Sequence, residues 1–167
     1  MASIATPFET AQQTPVNAAA VARGVTRMFH HHGVQLLPEV PLRNGRRVDL
    51  MGLDAKGGIV IVEIKTAKAD LLGDHKWTEY LDYCDRFYWA VPEALDPLLL
   101  AAEIFQPERS GLVIADGYGA EIVRAAATVP VAPARRKTET LMLARRTMQR
   151  LSFADGRITD EDALRDF

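Results

Sequence analysis

The first periodic segment of the chain has the apolar spacing of a helix. Between Asn17 and His32, apolar residues recur three or four positions apart, which places them on one face of an α-helix. The residues of this face are Ala18, Val21, Ala22, Val25, Met28 and Phe29. Asn17 suits the N-cap, and Gly33 suits the position just after the last turn. The pattern predicts an amphipathic helix over residues 17–32 that packs on an apolar surface.

Three β-segments follow in quick succession. They are residues 34–42, 46–53 and 58–66. Asn44-Gly45 and Lys56-Gly57-Gly58 separate them, and such sequences are typical of tight hairpin turns, so the three strands are predicted to be antiparallel. The third strand runs Ile59-Val60-Ile61-Val62 and is apolar on both faces. It is therefore predicted to lie in the middle of a sheet that is covered on both sides.

The second half of the chain predicts further alternation of helices and strands. The predicted elements are a helix at 74–85 after a less regular stretch at 67–73, a strand at 86–91, a short helix at 96–104 and a hairpin of 111–115 with 120–125. A basic helix at 138–151 follows a segment rich in Pro and Ala at 129–134. The order αβββαβ predicts an α/β domain with a mixed β-sheet flanked by helices.

The chain length fits one domain, because 167 residues can bury a sizeable core. Residues 1–15 are polar, contain Pro7 and Pro15, and are interpreted as a flexible leader. Residues 16–128 form the predicted domain. Residues 129–167 are interpreted as a linker and a basic C-terminal helix that packs on this domain or extends it.

Composition adds constraints on class and location. Hydrophobic residues make up 48% and charged residues 25% of the chain, as in ordinary globular proteins. The single cysteine, Cys84, excludes an intrachain disulfide and a Cys-based zinc site, and a buried structural thiol is expected. The chain shows neither a signal-peptide pattern nor an apolar run of about 18 residues, so a cytoplasmic protein without a membrane span is expected.

The net charge of −2 conceals an uneven distribution. Residues 134–157 contain seven basic and two acidic residues, a local charge of +5 against −7 for the rest. A local basic patch is what contacts with nucleic-acid phosphates require.

Two charged residues interrupt the apolar third strand. Glu63 and Lys65 lie two positions apart and therefore point to the same face. Burying them is costly unless they are paired or bind an ion. In a hairpin symmetric about Lys56, Asp49 faces Glu63, although a slip of one residue would turn Asp49 to the other face.

Two opposed carboxylates repel each other unless a cation lies between them. Carboxylate oxygens suit Mg²⁺ or Mn²⁺, and such a cation lowers the pKa of a bound water and stabilises negative charge on a phosphate. Lys65 can then orient the water or neutralise phosphoryl oxygens. The chemistry that uses Asp49, Glu63 and Lys65 together is phosphodiester hydrolysis, whereas a buried structural ion-pair cluster is the alternative that the spacing leaves open.

Asp49, thirteen intervening residues and Glu63-Ile64-Lys65 on a hairpin after a helix resemble the core of the PD-(D/E)XK nuclease superfamily, with Val48 where its nominal proline would be. More narrowly, the chain resembles the MmcB family of bacterial DNA-repair proteins over roughly residues 17–125. The stretches that carry this resemblance are Pro38-Glu39-Val40-Pro41-Leu42, Gly45-Arg46-Arg47-Val48-Asp49-Leu50, Val62-Glu63-Ile64-Lys65-Thr66, Asp74-His75-Lys76-Trp77-Thr78-Glu79-Tyr80 and Asp82-Tyr83-Cys84-Asp85-Arg86-Phe87.

The resemblance implies a restriction-endonuclease-like fold and a role in DNA repair, with DNA and other repair proteins as partners. It also implies Asp49, Glu63 and the backbone of Ile64 as metal ligands, Lys65 as the catalytic lysine, and Mg²⁺ or Mn²⁺ as cofactor. Many enzymes of this superfamily act as dimers, so a homodimer is one expectation. Substrate structure and cleavage polarity stay open.

Four further residues are candidates around the site. Lys76 and Tyr80 share one side of the predicted helix with Tyr83, facing the cleft, whereas Trp77, Leu81 and Cys84 share the core side. Glu39 is a candidate third carboxylate, and Arg47 a candidate phosphate contact. The alternatives are a solvated side chain for Lys76, a half-buried ring for Tyr80 and a surface charge for Arg47, and the direction in which Glu39 faces stays open. Asp70 and Asp74 are interpreted as loop and helix-cap residues.

The basic helix is predicted to anchor through Leu141, Met148 and Leu151 and to point Arg145, Arg146 and Arg150 outward. Binding of DNA phosphates, a solvated face and contact with a partner subunit are the interpretations left open. For the whole chain the leading hypothesis is a metal-dependent DNA nuclease. The alternatives are a catalytically silent DNA-binding or adaptor protein with the nuclease fold, and a purely structural oligomerisation domain.

Overall fold

The computed structural model of the chain describes residues 16–159, so the predicted leader at 1–15 lies outside the described residues. The helices are α1 (Ala18–His31), α2 (Lys68–Gly73) and α3 (Pro133–Ala154), and the strands are β1 (Val34–Pro41), β2 (Arg47–Asp54), β3 (Ile59–Ile64), β4 (Arg86–Pro92), β5 (Gly111–Ala115) and β6 (Ala120–Arg124). Three short 3₁₀ helices span Trp77–Tyr83, Pro97–Ala101 and Glu103–Phe105 in the described residues.

The six strands form one mixed sheet in the order β1-β2-β3-β4-β5-β6. β1, β2 and β3 are antiparallel neighbours, β3, β4 and β5 run parallel, and β6 returns antiparallel to β5. The predicted α/β class, the αβββαβ order and the mixed sheet flanked by helices are confirmed. The predicted cap of α1 is confirmed as well, because the Asn17 side chain accepts a hydrogen bond from the Ala20 backbone N–H.

β3 is the central strand, and all six of its residues are buried. Val60 and Val62 face α1, which packs on this side of the sheet through its own apolar stripe. The opposite side is covered by an aromatic cluster of Trp77, Phe87, Trp89 and Phe105, whose successive ring centroids lie 5.1–5.7 Å apart. Because apolar layers cover both faces, a charged side chain on β3 lies in a largely dry environment.

β1 and β2 approach each other closely at Gly52. A Cβ atom built on Gly52 would lie 1.8 Å from the backbone oxygen of Gln35 on β1. Only glycine fits this contact. The close approach holds the outer strand against the strand that carries Asp49.

The predicted α-helix at 74–85 is wrong. α2 occupies the stretch expected to be irregular, and a 3₁₀ helix over Trp77–Tyr83 follows it. A 3₁₀ helix has three residues per turn, so Trp77, Tyr80 and Tyr83 share its buried side. The predicted division into a cleft side and a core side therefore fails, because Tyr80 and Tyr83 are buried together with Trp77, Leu81 and Cys84.

The C-terminal helix α3 begins at Pro133, earlier than predicted, with proline in the first turn, where its missing N–H costs nothing. The predicted anchors Leu141, Met148 and Leu151 are wrong, since they are 56%, 66% and 60% exposed. Leu143 and Glu139 are buried instead, and Leu143 joins the main core together with Val131 from the preceding segment.

Asp85, immediately before β4, links α3 to the sheet. Its buried carboxylate accepts hydrogen bonds from the backbone N–H groups of Ile59 (2.6 Å) and Val131 (3.0 Å). The Arg136 guanidinium donates to both carboxylate oxygens and also to the Gly57 carbonyl. Burial alone would raise the pKa of Asp85, but the hydrogen bonds from Arg136, Ile59 and Val131 lower the pKa overall.

Candidate active site

The β2–β3 hairpin brings Asp49 and Glu63 to one end of the sheet. Its turn is held by Asp54, whose side chain accepts from the backbone N–H groups of Lys56 (2.8 Å) and Gly58 (2.7 Å). The ladder pairs Leu50 with Val62, which confirms the predicted register. Asp49 and Glu63 lie one step beyond this last pair. Because side chains alternate along a strand, both carboxylates are on the same face of the sheet.

Glu63 is a buried carboxyl group with one oxygen unused. The residue is 6% exposed, and its Oε1 accepts from the Lys65 Nζ at 3.3 Å. Its Oε2 is buried and has no hydrogen-bond partner among the described residues. Burial, and then the nearby Asp49 charge, raises the pKa of Glu63 to about 8, although Lys65 partly opposes both effects. Without a further cation, this group therefore holds a proton at neutral pH.

Asp49 is fixed by a backbone hydrogen bond. Its Oδ2 accepts from the Ile64 N–H at 2.7 Å, on the strand that carries Glu63. Burial raises the pKa of Asp49, and the hydrogen bond from Ile64 together with the charges of Lys65 and Arg47 limits the rise. This bond orients the carboxylate across the hairpin. It uses the amide N–H of Ile64, which is a donor, so the role of the Ile64 backbone as a metal ligand stays a prediction.

The Lys65 ammonium lies among three acidic side chains. Its Nζ lies 2.9 Å from Asp74 Oδ2, 3.3 Å from Glu63 Oε1 and 3.9 Å from Asp70 Oδ1. Burial lowers the pKa of Lys65, but the hydrogen bond to Asp74 and the surrounding negative charges more than compensate, so the pKa is raised overall. The amine therefore stays protonated, and its position is fixed from two sides.

Tyr80 reaches the same group from the 3₁₀ helix. It is 6% exposed and stacks on Phe87, with ring centroids 6.3 Å apart. Burial and the charges of Glu63 and Asp74 raise the pKa of Tyr80 to about 12, so the hydroxyl keeps its proton and can donate a hydrogen bond. The structure thus places Tyr80 beside the carboxylates, although by a different helix geometry from the predicted one.

Three predicted neighbours lie at the edge of the site. Glu39 and Arg47 pair with each other at 3.6 Å, with side chains that are 66% and 62% exposed. Glu39 adopts a positive φ of 50° on β1, so the backbone there is strained. Lys76 is exposed and lines a cavity of about 360 Å³ together with Lys65, Asp70 and Asp74. The structure brings Glu39 to Arg47 and not to the buried acidic residues.

The charges at this site suit a divalent cation. The carboxylates of Asp49, Glu63, Asp70 and Asp74 surround the single ammonium of Lys65. Glu63 Oε2 has no hydrogen-bond partner among the described residues, so this oxygen could bind a cation. Magnesium is commonly held by one or two carboxylates, with water completing its shell. The described part of the chain has no group of three or more His, Cys, Asp or Glu side chains arranged for a metal. Asp49 and Glu63 would therefore supply two carboxylates, and water would have to complete the shell of the cation.

Sequence reasoning missed the role of Asp74. The residue was interpreted as a cap, and its Oδ1 does accept from the Lys76 backbone N–H at 3.1 Å. Its other oxygen forms the shortest contact of Lys65. The sequence did offer one signal, the predicted burial of Lys65. A buried ammonium needs a carboxylate partner, and Glu63 could not serve fully as that partner if it also bound a metal. Nothing in the pattern distinguished Asp74 from its neighbours for this role.

Known proteins resemble the chain at the level of family and structure. Residues 5–157 match the family model described as DNA repair protein MmcB-like. A solved structure of a protein of unknown function from Silicibacter pomeroyi shares 43% sequence identity, covers 89% of this chain and 97% of that chain, and has a TM-score of 0.76. None of the curated proteins matches the chain.

Two further solved structures overlap only partly. A repair endonuclease from Pyrococcus abyssi is 22% identical over 64% of this chain and 49% of that chain, with a TM-score of 0.35. Pyrococcus furiosus SfsA, solved in complex with Ca²⁺, is 12% identical over 68% and 66%, with a TM-score of 0.41. Within residues 16–159, no helix is both long and apolar enough to cross a membrane.

Proposed function

The chain belongs to the MmcB-like family of DNA repair proteins, and on that premise we propose that it is a divalent-metal-dependent DNA nuclease. The observation that carries the proposal is Glu63, a buried carboxyl group on the central strand with an unused oxygen beside Asp49 and Lys65. A carboxylate in this position is costly in a protein that only needs a stable sheet. A bound Mg²⁺ or Mn²⁺ would remove that cost.

Each residue at the site would have a separate role in the proposed reaction. Asp49 and Glu63 would hold the cation, with the Ile64 backbone between them on the hairpin. When bound, Mg²⁺ or Mn²⁺ supplies positive charge that acidifies water and stabilises negative charge developing on a phosphate. Lys65, kept protonated and fixed by Asp74, would neutralise phosphoryl oxygens of the scissile group. Tyr80, which is buried beside these carboxylates and keeps its proton, would donate a hydrogen bond to a ligand on the same face.

The raised pKa of Glu63 makes cation binding at this site depend on pH. Because the metal ligand is the carboxylate, Glu63 must release its proton when a cation binds. Cation affinity is therefore expected to increase as the pH rises toward about 8. Nuclease activity should follow the same trend.

A catalytically silent DNA-binding or adaptor protein is the second candidate. The Lys65 ammonium already pairs with Asp74 and Glu63, and Asp49 already accepts from Ile64, so the charges are partly satisfied within the protein. The lack of a larger metal-ligand group among the described residues also favours this candidate. It predicts DNA or partner binding that does not depend on a metal, and no cleavage.

A cleavage panel separates the two candidates. Single-stranded, duplex, flapped and branched DNA are incubated with Mg²⁺ or Mn²⁺ and the wild type, Asp49→Asn, Glu63→Gln or Lys65→Met. Each variant is expected to lose about 100-fold or more in rate. Glu93→Gln serves as the matched control, because Glu93 is an exposed acid outside the site.

The outcomes are distinct. Cleavage by the wild type and by Glu93→Gln, with loss in the three site variants, supports the nuclease. Equal cleavage by the wild type and Glu63→Gln would contradict the role of Glu63. If the wild type cleaves none of the substrates with either cation, the silent candidate replaces the nuclease.

A further inference from the structure

Helix α3 carries most of the excess basic charge, and contacts within the protein already occupy part of it. Arg136 is bound to Asp85 at 2.6 Å. Arg135 lies over the Tyr83 ring, 4.3 Å from its centroid, and pairs weakly with Glu139 at 3.9 Å. These two arginines therefore hold the helix on the domain, and their guanidinium groups already have partners within the protein.

The second half of α3 presents arginines without acidic partners. Arg145, Arg146 and Arg150 form no ion pair with any residue of the described chain, and neither does Arg43 in the turn between β1 and β2. An anionic ligand would supply the missing partner.

Three of these arginines line one cavity. Arg43, Arg145 and Arg146 surround a cleft of about 750 Å³ between α3 and the β1–β2 turn, and we call it the arginine cleft. Thr138 and Gln149 add polar groups to its wall. The Nε of Arg146 is buried and has no hydrogen-bond partner among the described residues. A donor of this kind is costly unless an acceptor enters the cleft.

A chain of contacts connects this surface with the candidate active site. Arg150 donates from Nη2 to the Glu39 backbone oxygen at 3.4 Å, and the Glu39 side chain pairs with Arg47 at 3.6 Å. Arg47 in turn lies two positions before Asp49 on β2 and therefore on the same face of the sheet. The second half of α3 therefore lies on the same side of the molecule as the hairpin site.

We infer that the arginine cleft binds the phosphodiester backbone of a DNA strand whose scissile phosphate lies at Asp49 and Glu63. This inference rests on the proposed function for its choice of DNA as the anion. Guanidinium forks match phosphate oxygens, and contacts to the backbone fix the position of a strand without reading its sequence. Arg43 and Arg145 supply phosphate contacts, while Arg146 donates its buried Nε–H.

Binding measurements without cleavage test the cleft directly. All proteins carry Glu63→Gln and are kept in EDTA, and fluorescence anisotropy follows labelled single-stranded and duplex DNA at several salt concentrations. The test variant adds Arg43→Gln and Arg145→Gln, both exposed positions. The matched control adds Arg23→Gln and Lys56→Gln, which remove the same charge from exposed sites on α1 and the β2–β3 turn.

The test variant is expected to bind DNA on the order of tenfold more weakly than the control, with a log–log salt slope smaller by about 2 for duplex DNA. Equal affinity and equal slope in the two variants would overturn the inference. So would the absence of DNA binding by the parent protein.

Failure of the nuclease proposal gives a different result. A wild type that cleaves nothing but binds DNA through Arg43 and Arg145 would remove the enzymatic role and leave the arginine cleft in place. Cleavage by the wild type together with equal binding of both double variants would leave the nuclease and remove the cleft.

Discussion

Replacing Glu63 with glutamine should stabilise the metal-free protein at alkaline pH. Glutamine keeps the shape of the side chain and removes an ionisable group whose pKa is raised from 4.5 to about 8 in the folded state. The folded protein holds this proton more tightly than the unfolded chain does. The resulting contribution to stability is fully present below the unfolded pKa and is lost as the pH rises through the folded value.

The size of the effect follows from the shift. Each unit of difference between the folded and unfolded pKa corresponds to about 1.4 kcal/mol. Relative to acid pH, the raised pKa of Glu63 therefore lowers the stability by on the order of 3 kcal/mol at neutral pH, where the folded protein still holds the proton, and by on the order of 5 kcal/mol above the folded pKa. For a chain of this size, 3 kcal/mol corresponds to a change in melting temperature of roughly 6–12 °C.

Urea unfolding in EDTA at about pH 5, 7 and 9 measures this effect. The wild type should lose stability over this range more steeply than Glu63→Gln, which retains only the contributions of the other groups with raised pKa values, among them Asp49 and Glu139. Glu93→Gln should follow the wild type. Equal slopes for the wild type and Glu63→Gln would refute the assignment of a strongly raised pKa to Glu63.

The same measurement reports cation binding without any cleavage assay. At alkaline pH, Mg²⁺ or Mn²⁺ at about 100 times its dissociation constant should stabilise the wild type by about 2.7 kcal/mol. Glu63→Gln should gain far less, because a neutral amide is a poor ligand for a hard cation. Equal stabilisation of both proteins would place the cation elsewhere.

Three further predictions concern stability and reactivity. Arg136→Ala should cost about 3 kcal/mol in urea unfolding, because it leaves the buried Asp85 carboxylate without its counter-charge, whereas Arg145→Ala should be close to neutral. Gly52→Ala should cost about 3 kcal/mol or more, since its Cβ would overlap the Gln35 oxygen, whereas Gly73→Ala, with open space around its Cβ, should be neutral or stabilising; comparable losses would contradict the close strand contact. Cys84 is 2% exposed and burial raises its pKa to about 12, so a thiol reagent at pH 8 should modify it only after unfolding, and rapid labelling of the native protein would refute this.

The hairpin was predictable because its determinants are local. Asn44-Gly45 and Lys56-Gly57-Gly58 mark the turns, and the alternation of side chains then fixes which residues share a face. The register followed from the turn centre alone, and the ladder pairs confirm it. The placement of Asp49 and Glu63 on one face depends on nothing beyond these local rules.

The partners of Lys65 were not predictable in the same way. Asp74 reaches Lys65 only because α2 and the following turn fold back over the end of β3, a geometry set by long-range packing. The segment after α2 was misread because five buried residues within eight positions fit both a 3.6-residue and a 3-residue period. Packing of Trp77 and Tyr80 on Phe87 accompanies the shorter period.

The anchoring face of α3 shows another limit of hydrophobic patterns. Glu139 is fully buried, whereas the larger apolar residues Leu141 and Met148 are exposed. A pattern method assigns the buried face to apolar residues and so rotates the helix incorrectly. In the structure, the rotation agrees with the bond between Arg136 and Asp85.

That bond also decides where the molecule can be divided. Ending the chain at residue 128 would keep every strand, yet it would strip Asp85 of the Arg136 guanidinium and the Val131 amide while the bond to Ile59 remained. In the shortened protein, the buried Asp85 carboxylate beside the start of β3 would have no cationic partner. A minimal version of this protein should therefore extend through Ala154, and protease-resistant fragments should retain the last helix.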